Sequence, residues 1–98
     1  MFEIKWGNEG QVILVGRFDA SRADAARGFL DGIQGATTLD FGQLEYISSA
    51  GLGVLLRTQQ RLKGGGAGLR LIHVNPHIRD VFHYAGFDQI FEIEPGSA

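Results

Sequence analysis

Alternating apolar and polar positions at the start of the chain predict two short strands. Apolar residues recur along Phe2–Trp6, and a second run, Val12–Phe18, is rich in β-branched residues. The segment Gly7–Gly10 between them has the composition of a turn. Because the connection is short, we expect the two strands to pair as an antiparallel hairpin.

Apolar positions spaced three and four residues apart predict three helices further along the chain. Ser21 and Asn75 are residue types that cap helix N-termini, and Pro76 is typical of a first helical position. The expected bounds are Ser21–Ile33, Ser49 or Ala50 to Lys63, and Asn75 to Gly86. The side chains expected to face the core are Ala26, Phe29, Leu30, Ile33, Leu52, Leu55, Leu56, Leu62, Ile78, Val81, Phe82 and Ala85.

Three further apolar runs predict strands at Thr37–Phe41, Leu69–Val74 and Ile90–Glu94. The element order is therefore ββαβαβαβ. Helices that alternate with strands favour right-handed crossovers and a parallel sheet, to which the initial hairpin adds one antiparallel strand. We expect an α/β fold with a mixed, mostly parallel sheet of about five strands, three or more helices, and a single domain over residues 1–98.

Composition and charge narrow the class of protein. The chain has 98 residues, of which 44% are hydrophobic and 20% charged, as in a folded domain. Its net charge is −2 without a basic tail, so we expect no nucleic-acid binding. It has no cysteine for disulfides or thiolate zinc sites. No basic leader or long apolar run is visible, so we expect a cytoplasmic protein without a signal peptide or membrane insertion.

Two glycine-rich segments lack the rest of a nucleotide-binding motif. The run Gly64–Gly68 has no Lys-Ser/Thr ending and precedes a strand rather than a helix. Gly51 and Gly53 stand at a strand-to-helix turn, but Leu56 occupies the position of the third glycine in a dinucleotide fingerprint. The sequence therefore predicts no cofactor.

Catalytic and metal-binding patterns are equally incomplete. His77 and His83 are six residues apart and do not share a helix face, while His73 is on a predicted strand, so we expect no metal site. Ser48 and Ser49 lack the first glycine of the G-x-S-x-G nucleophile elbow. We therefore expect no catalytic residue and no enzyme activity.

The pair Ser48–Ser49, here called the serine turn, precedes an apolar helix and has two interpretations. One serine can cap the helix, which is the commoner role of such a residue. Alternatively, a phosphate attached there would face free N–H groups and the positive end of the helix dipole. Phosphorylation would add about −1.5 to −2 charges at one point and could oppose docking of a partner. The residues alone leave both interpretations open.

The segment Leu39–Leu56 resembles the signature of the STAS family, a strand of the form "LDL" followed by a loop and a D-S-S/T-G-L-G helix start. Val15–Ala20 is similar to the "GxLD" end of the family's second strand, and Phe87–Phe91 resembles the start of its last strand. The order of elements matches as well. The resemblance covers almost the whole chain and is to the anti-sigma-factor antagonists in particular.

This resemblance implies where a phosphate would be attached. In the antagonists the signature carries the serine that a partner anti-sigma factor phosphorylates. Gly51 matches the signature glycine, which places the acceptor on Ser49, with Ser48 as second choice. Ser48 stands where the family usually has aspartate, and Ala50 where it has a second serine or threonine. The implied partner-binding residues are Asp19, Ala20, Ser48, Ser49, Ala50, Gly51, Leu52 and Gly53.

The resemblance also implies a function and partners. The unphosphorylated chain would bind an anti-sigma factor with serine-kinase activity, which holds the ATP, and a serine phosphatase would restore binding after phosphorylation. A monomer is the family default. Asp19 and Asp40 are expected on the same sheet edge, either as companions of the acceptor or as capping and strand-end residues. Two alternatives stay open: a STAS subunit of a lipid-transport ABC system, and a small-molecule sensor.

Overall fold

The computed structural model describes residues 1–94 and consists of five strands and three α-helices. The last four residues of the predicted domain 1–98 lie outside the described residues. The strands are β1 Phe2–Trp6, β2 Val12–Phe18, β3 Thr37–Ile47, β4 Leu69–Ile72 and β5 Glu92–Ile93. The helices are α1 Ala23–Leu30, α2 Ser49–Gly64 and α3 Pro76–Tyr84, and Ala20–Arg22 and Phe87–Gln89 form 3-10 turns.

The strands form one mixed sheet whose spatial order, β1-β2-β3-β4-β5, follows the order along the chain. β1 pairs with β2 in antiparallel fashion, in a register that places Phe2 opposite Gly16. The remaining neighbours are parallel, since a helix or helical turn connects each strand to the next. The predicted hairpin and the mixed, mostly parallel sheet are therefore confirmed.

A single hydrophobic core forms where the helices cover one face of the sheet. In β2, Val12, Leu14 and Phe18 are fully buried, whereas Ile13 and Val15 are only half-buried. This alternation follows from the two-residue period of a strand, which directs successive side chains to opposite faces. Most predicted core positions are buried, including Leu30, Leu55, Ile78 and Phe82. Ala85 is an exception, because it is exposed at the end of α3.

The third strand is longer than the sequence predicts. Its predicted end is Phe41, but β3 continues to Ile47. The pairing with β2 contains two register shifts, between Ile13 and Val15 and again between Gly16 and Arg17, at each of which β3 contributes one extra residue. These bulges interrupt the apolar alternation, so the second half of β3 has the sequence of a loop.

The first helix is shorter than the sequence predicts. Asp19, rather than Ser21, caps the segment, and it caps the 3-10 turn that precedes α1. α1 ends at Leu30, although Ile33, the predicted end, remains buried with 3% exposure. The predicted N-cap was wrong because the chain makes an additional turn between β2 and the helix. This turn fixes how the chain leaves the end of β2.

Candidate functional site

The candidate site forms where β2 and β3 end side by side. Phe18 and Ile47, the last residues of these strands, are partners in the parallel register. The Ser48 N–H donates a hydrogen bond to the Phe18 carbonyl oxygen at 2.9 Å, so the pairing extends one residue beyond β3. The two segments that leave the strands are Asp19–Ala20 and the serine turn. They therefore lie together at the carboxyl-end edge of the sheet, where β2 and β3 end.

Ser48 is the N-cap of α2. Its backbone is extended, with φ −86° and ψ 169°, and its Oγ accepts a hydrogen bond from the Gly51 N–H at 3.1 Å. Its carbonyl oxygen accepts the first intrahelical bond, from the Leu52 N–H at 2.9 Å. Ser48 thus satisfies one of the N–H groups that the start of a helix leaves without an acceptor.

Ser49 is the first residue of α2, and its side chain is exposed. Within residues 1–94 its hydroxyl makes no hydrogen bond, in contrast to the half-buried Ser48. The two serines therefore differ in kind: Ser48 holds the helix start, and Ser49 presents a free hydroxyl beside the positive end of the helix dipole.

Gly51 allows the first turn of α2 to lie directly on the ends of the two strands. It is buried, and a Cβ atom there would lie 3.0 Å from Cγ1 of Ile47 and 3.1 Å from Cγ of Phe18. Leu52 beside it belongs to the core. Gly53 is different, because a Cβ there would meet no atom within 4 Å. A side chain at position 51 would therefore press on Ile47 and Phe18, whereas one at position 53 would meet open space.

Asp19 carries a negative charge at the same edge. Its Oδ1 accepts hydrogen bonds from the Ser21 hydroxyl at 2.6 Å and from the Ser21 N–H at 3.1 Å. The bond from the Ser21 hydroxyl is the main cause that lowers the pKa of the Asp19 carboxyl below its usual value, and the charge of Arg22 acts in the same direction. Asp19 is therefore ionised at neutral pH. Ala20, which follows it, is exposed.

An aromatic–cation pair next to the site was not among the predicted site residues. The guanidinium carbon of Arg17 lies 4.3 Å from the ring centroid of Tyr46, a cation–π distance. The two residues are partners in the β2–β3 register and stand one position before Phe18 and Ile47. Their pairing depends on the second register shift between β2 and β3, which falls between Gly16 and Arg17. The signal in the sequence was that each residue lies inside a segment with the family resemblance, Arg17 in Val15–Ala20 and Tyr46 in Leu39–Leu56.

Asp40 does not join Asp19, contrary to one of the sequence expectations. It lies in the first half of β3, because that strand continues to Ile47 rather than ending at Phe41. Its Oδ1 accepts a hydrogen bond from the Gly42 N–H and contacts His73 Nδ1, each at 2.9 Å. The hydrogen bond to Asp40 and the negative charge of the Asp40 carboxylate both raise the pKa of His73. Asp40 is therefore a local partner of His73, away from the serine turn.

The remaining histidines and helices add no second centre among residues 1–94. His83 Nδ1 contacts Asp88 Oδ2 at 2.7 Å, and this hydrogen bond, with the Asp88 charge, raises the pKa of His83. No group of three or more potential metal-ligating side chains occurs in the described part of the chain. None of its described helices combines the length and apolarity needed to cross a bilayer.

Comparison with known proteins identifies the type of domain. A family model described as "Mlab, STAS domain" matches residues 3–93. BtrV of Bordetella bronchiseptica, which is assigned by name to the anti-sigma factor antagonists, is 46% identical over 55 residues. This match covers 56% of the present chain and 47% of BtrV, so the chain matches about half the length of that relative.

Solved structures of anti-sigma factor antagonists have the same fold. An anti-sigma factor antagonist from Mycobacterium paratuberculosis superposes with a TM-score of 0.80 at 23% identity, covering 98% of this chain and 86% of that chain. SpoIIAA in its unphosphorylated form gives a TM-score of 0.70 at 17% identity, over 98% and 89% of the two chains. Bacillus SpoIIAA in its phosphorylated form gives 0.68 at 19% identity, over 96% and 91%. These likenesses establish the shared fold.

Proposed function

The chain belongs to the STAS domain family, and on that premise we propose that it is an anti-sigma factor antagonist controlled by phosphorylation of Ser49. In the unphosphorylated state it binds an anti-sigma factor that has serine-kinase activity, and the target of that factor is released. Phosphorylation stops this binding, and a serine phosphatase restores it. The chain itself performs no catalysis and acts in the cytoplasm.

The observation that carries the proposal is the exposed hydroxyl of Ser49. It makes no hydrogen bond to residues 1–94, so a kinase can reach it without breaking an interaction of the fold. The adjacent Ser48 does hold the helix start through the Gly51 N–H. Ser48 thereby supplies the hydrogen bond expected of the aspartate that usually stands at its position in the family. This division of roles favours Ser49 over Ser48 as the acceptor.

A phosphate on Ser49 would be compatible with the fold of this chain and unfavourable in a complex. The N-terminus of α2 is electropositive, so it accommodates an added anion locally. Asp19 is already ionised at the same edge, and the phosphate would add about −1.5 to −2 charges. A partner covering this surface would have to remove water from the new charge. Such desolvation is costly unless the charge is paired.

The proposed contact surface consists of the residues at the serine turn and the neighbouring turn after β2. Ser49 and Gly53 are one helical turn apart, so they stand above one another on the surface of α2. Because the environment of Gly53 is open, a partner's main chain can approach the helix there. The surface is formed by Asp19, Ala20, Ser48, Ser49, Ala50, Gly51, Leu52 and Gly53.

Phosphate mapping tests the proposal directly. The protein is incubated with its cognate anti-sigma kinase and ATP, and the modified residue is identified by mass spectrometry. We expect a single phosphate on Ser49, with none on Ser21, an exposed serine whose hydroxyl is bonded to Asp19. Phosphate on Ser48 would move the acceptor to the second-choice residue, whereas phosphate at any other residue, or no phosphate, would overturn the switch.

Binding measurements with two variants separate regulation from helix capping. Ser49→Asp adds a permanent charge and is expected to weaken binding to the anti-sigma factor. Ser49→Ala is expected to keep wild-type affinity and to become insensitive to ATP. Isothermal titration calorimetry with and without ATP measures both. Equal affinity of the two variants would show that Ser49 has no regulatory role.

A second candidate is a STAS subunit of a lipid-transport ABC system. It stays open because the description of the matching family model, "Mlab, STAS domain", names the domain and does not name an antagonist. In that case the domain would dock permanently on a transporter, and the serine turn would be purely structural. Affinity purification from the native cell distinguishes the candidates: an ATPase with a permease supports transport, whereas a kinase-type anti-sigma factor supports switching.

A further inference from the structure

β1 forms an edge of the sheet. No residue among 1–94 pairs with the main-chain groups on its outer side. β1 is the first strand in the spatial order, and β2 is its only neighbour among the described strands. Such an edge presents a row of main-chain donors and acceptors that can pair with another strand. Proteins commonly protect edges with charged side chains, especially lysine, or with proline. β1, with the sequence Phe-Glu-Ile-Lys-Trp, has no proline and carries one charge of each sign.

The main-chain hydrogen bonds show which residues of β1 face outward. The Met1 carbonyl oxygen accepts from the Arg17 N–H at 2.8 Å, and the Gly7 N–H donates to the Gln11 carbonyl oxygen at 2.6 Å. The main-chain groups of Met1 and Gly7, on either side of β1, thus face β2. Because direction alternates along a strand, those of Glu3 and Lys5 also face β2. The residues whose N–H and C=O groups point away are Phe2, Ile4 and Trp6.

The side chains of β1 divide between the two faces of the sheet. On the helix side, Phe2 stacks on Phe18 with ring centroids 4.8 Å apart, and Trp6 lies 5.6 Å from the ring of Phe29 while remaining 55% exposed. The other face carries Glu3 and Lys5, whose charged groups are 3.5 Å apart. An apolar row and a row with one charge of each sign therefore run along the same edge.

We propose that β1 pairs with β1 of a second copy of this chain, in antiparallel orientation about a two-fold axis at Ile4. Phe2 then lies opposite Trp6 of the other copy, and Glu3 lies opposite its Lys5. The outward main-chain groups pair at Ile4 with Ile4 and at Phe2 with Trp6. The ion pairs fall between them, at positions without main-chain bonds, where facing side chains come closest. The interface is isologous, as two-fold symmetry requires.

Other registers are disfavoured by the charges. An axis at Glu3 places two glutamates opposite one another, and an axis at Lys5 places two lysines together. Like charges directly opposite across a strand pair are destabilising, whereas opposite charges and aromatic pairs stabilise it. Only the axis at Ile4 makes both charged positions and the aromatic positions complementary. The paired dimer departs from the monomeric state implied by the family resemblance.

Charge reversal tests the pairing with an internal rescue. Glu3→Lys puts lysine opposite lysine at both ion pairs, and Lys5→Glu puts glutamate opposite glutamate. We expect a dimer of the wild-type chain by analytical ultracentrifugation and about tenfold weaker dimerisation of each single variant. The double variant Glu3→Lys/Lys5→Glu restores complementarity and should dimerise like the wild type. An equimolar mixture of the two single variants should form a heterodimer.

Controls separate pairing from folding and from general charge. Glu3 and Lys5 are about half exposed, so the single variants are expected to fold, as circular dichroism would verify. Glu45→Lys and Lys63→Glu make the same charge changes at exposed positions outside β1 and should leave dimerisation unchanged. A monomeric wild-type chain, or a double variant as weak as the single ones, would overturn the proposal.

Amide hydrogen exchange locates the interface independently of mass. In the monomer the Glu3 and Lys5 amides are bonded to β2 and should exchange slowly, while those of Phe2, Ile4 and Trp6 should exchange fast. With increasing protein concentration the latter three should become protected. Protection that appears only when an anti-sigma factor is added would instead assign the edge to that partner. None of these variants alters Ser49, so failure here leaves the phosphorylation switch untouched.

Discussion

The first turns of α2 and α3 both leave main-chain N–H groups without an intrahelical acceptor, and both helices are capped by a side chain. Each helix follows a parallel strand, and each begins with an extended residue whose side chain caps it. Ser48 Oγ accepts from the Gly51 N–H at 3.1 Å, and Asn75 Oδ1 accepts from the Ile78 N–H at 2.8 Å. The capping bond spans three residues in both. A cap at this edge of the sheet is therefore an ordinary structural device.

The two helix starts differ in the residue that follows the cap. α3 continues with Pro76, which fits a first helical position and offers no hydroxyl. α2 continues with Ser49, which is exposed and takes no part in capping. In addition, Asn75 Nδ2 donates to the Leu44 carbonyl oxygen of β3 at 3.3 Å, so this cap is also tied to the sheet. Helix capping accounts for the presence of Ser48 and Asn75 at these positions, but it does not account for Ser49.

The largest difference between the two starts should appear at the third helical position. Ile78 fits there in α3, whereas Gly51→Ile in α2 would drive a side chain into Ile47 and Phe18, both buried. Such overpacking costs about 3 kcal/mol of the free energy of unfolding. Gly53→Ile is the matched control and should change stability by less than ~0.5 kcal/mol, since space is open there. Urea denaturation measures both, and equal effects would contradict the close packing of α2.

Removing the caps should give a smaller and unequal loss. Asn75→Ala deletes a capping bond and the bond to Leu44, so we expect a loss of about 2 kcal/mol. Ser48→Ala deletes the capping bond alone, with an expected loss of about 1 kcal/mol. The same denaturation experiment ranks them. A larger loss for Ser48→Ala would mean that the serine turn stabilises the fold through contacts beyond its cap.

Features that depend on neighbouring residues along the chain were predictable from the sequence. The hairpin of β1 and β2, the three helices and the cap at Asn75 follow from periodicity and from residue types with local hydrogen-bonding preferences. The STAS resemblance placed Asp19 and the serine turn in one set, and the register of β2 with β3 brings them to the same edge. Their function as a binding surface remains a prediction.

Features that depend on register were not predictable. The length of β3, and with it the position of Asp40 far from the site, follows from bulges in its pairing with β2, which no local pattern encodes. The contact between Arg17 and Tyr46 depends on the same register. The resemblance places the acceptor on Ser49, but it does not say which of the two serines caps the helix. Either serine can do so, and only the geometry shows that Ser48 does.

Replacing the Ser48 cap with aspartate, the family's usual residue at this position, should cost less stability than replacing it with alanine. Ser48→Asp keeps an oxygen that can accept from the Gly51 N–H, and it adds a negative charge at the positive end of α2. We expect stability to change by at most ~0.5 kcal/mol, in the favourable direction at neutral pH. Thermal denaturation beside Ser48→Ala measures this. A loss as large as that of the alanine variant would show that position 48 cannot accommodate the carboxylate.

The smallest effect is expected at Ser49, and its smallness is the informative result. The Ser49 hydroxyl makes no hydrogen bond to residues 1–94, and alanine is at least as good a helix former, so Ser49→Ala should change the free energy of unfolding by less than ~0.5 kcal/mol. Chemical denaturation against Ser48→Ala as the matched control measures the contrast. The two alanine substitutions would then differ in their effect on the free energy of unfolding. Only Ser49, whose substitution leaves that free energy unchanged, would respond to the kinase. A cost for Ser49→Ala equal to that of Ser48→Ala would make both residues caps and would remove the structural reason to place the switch on Ser49.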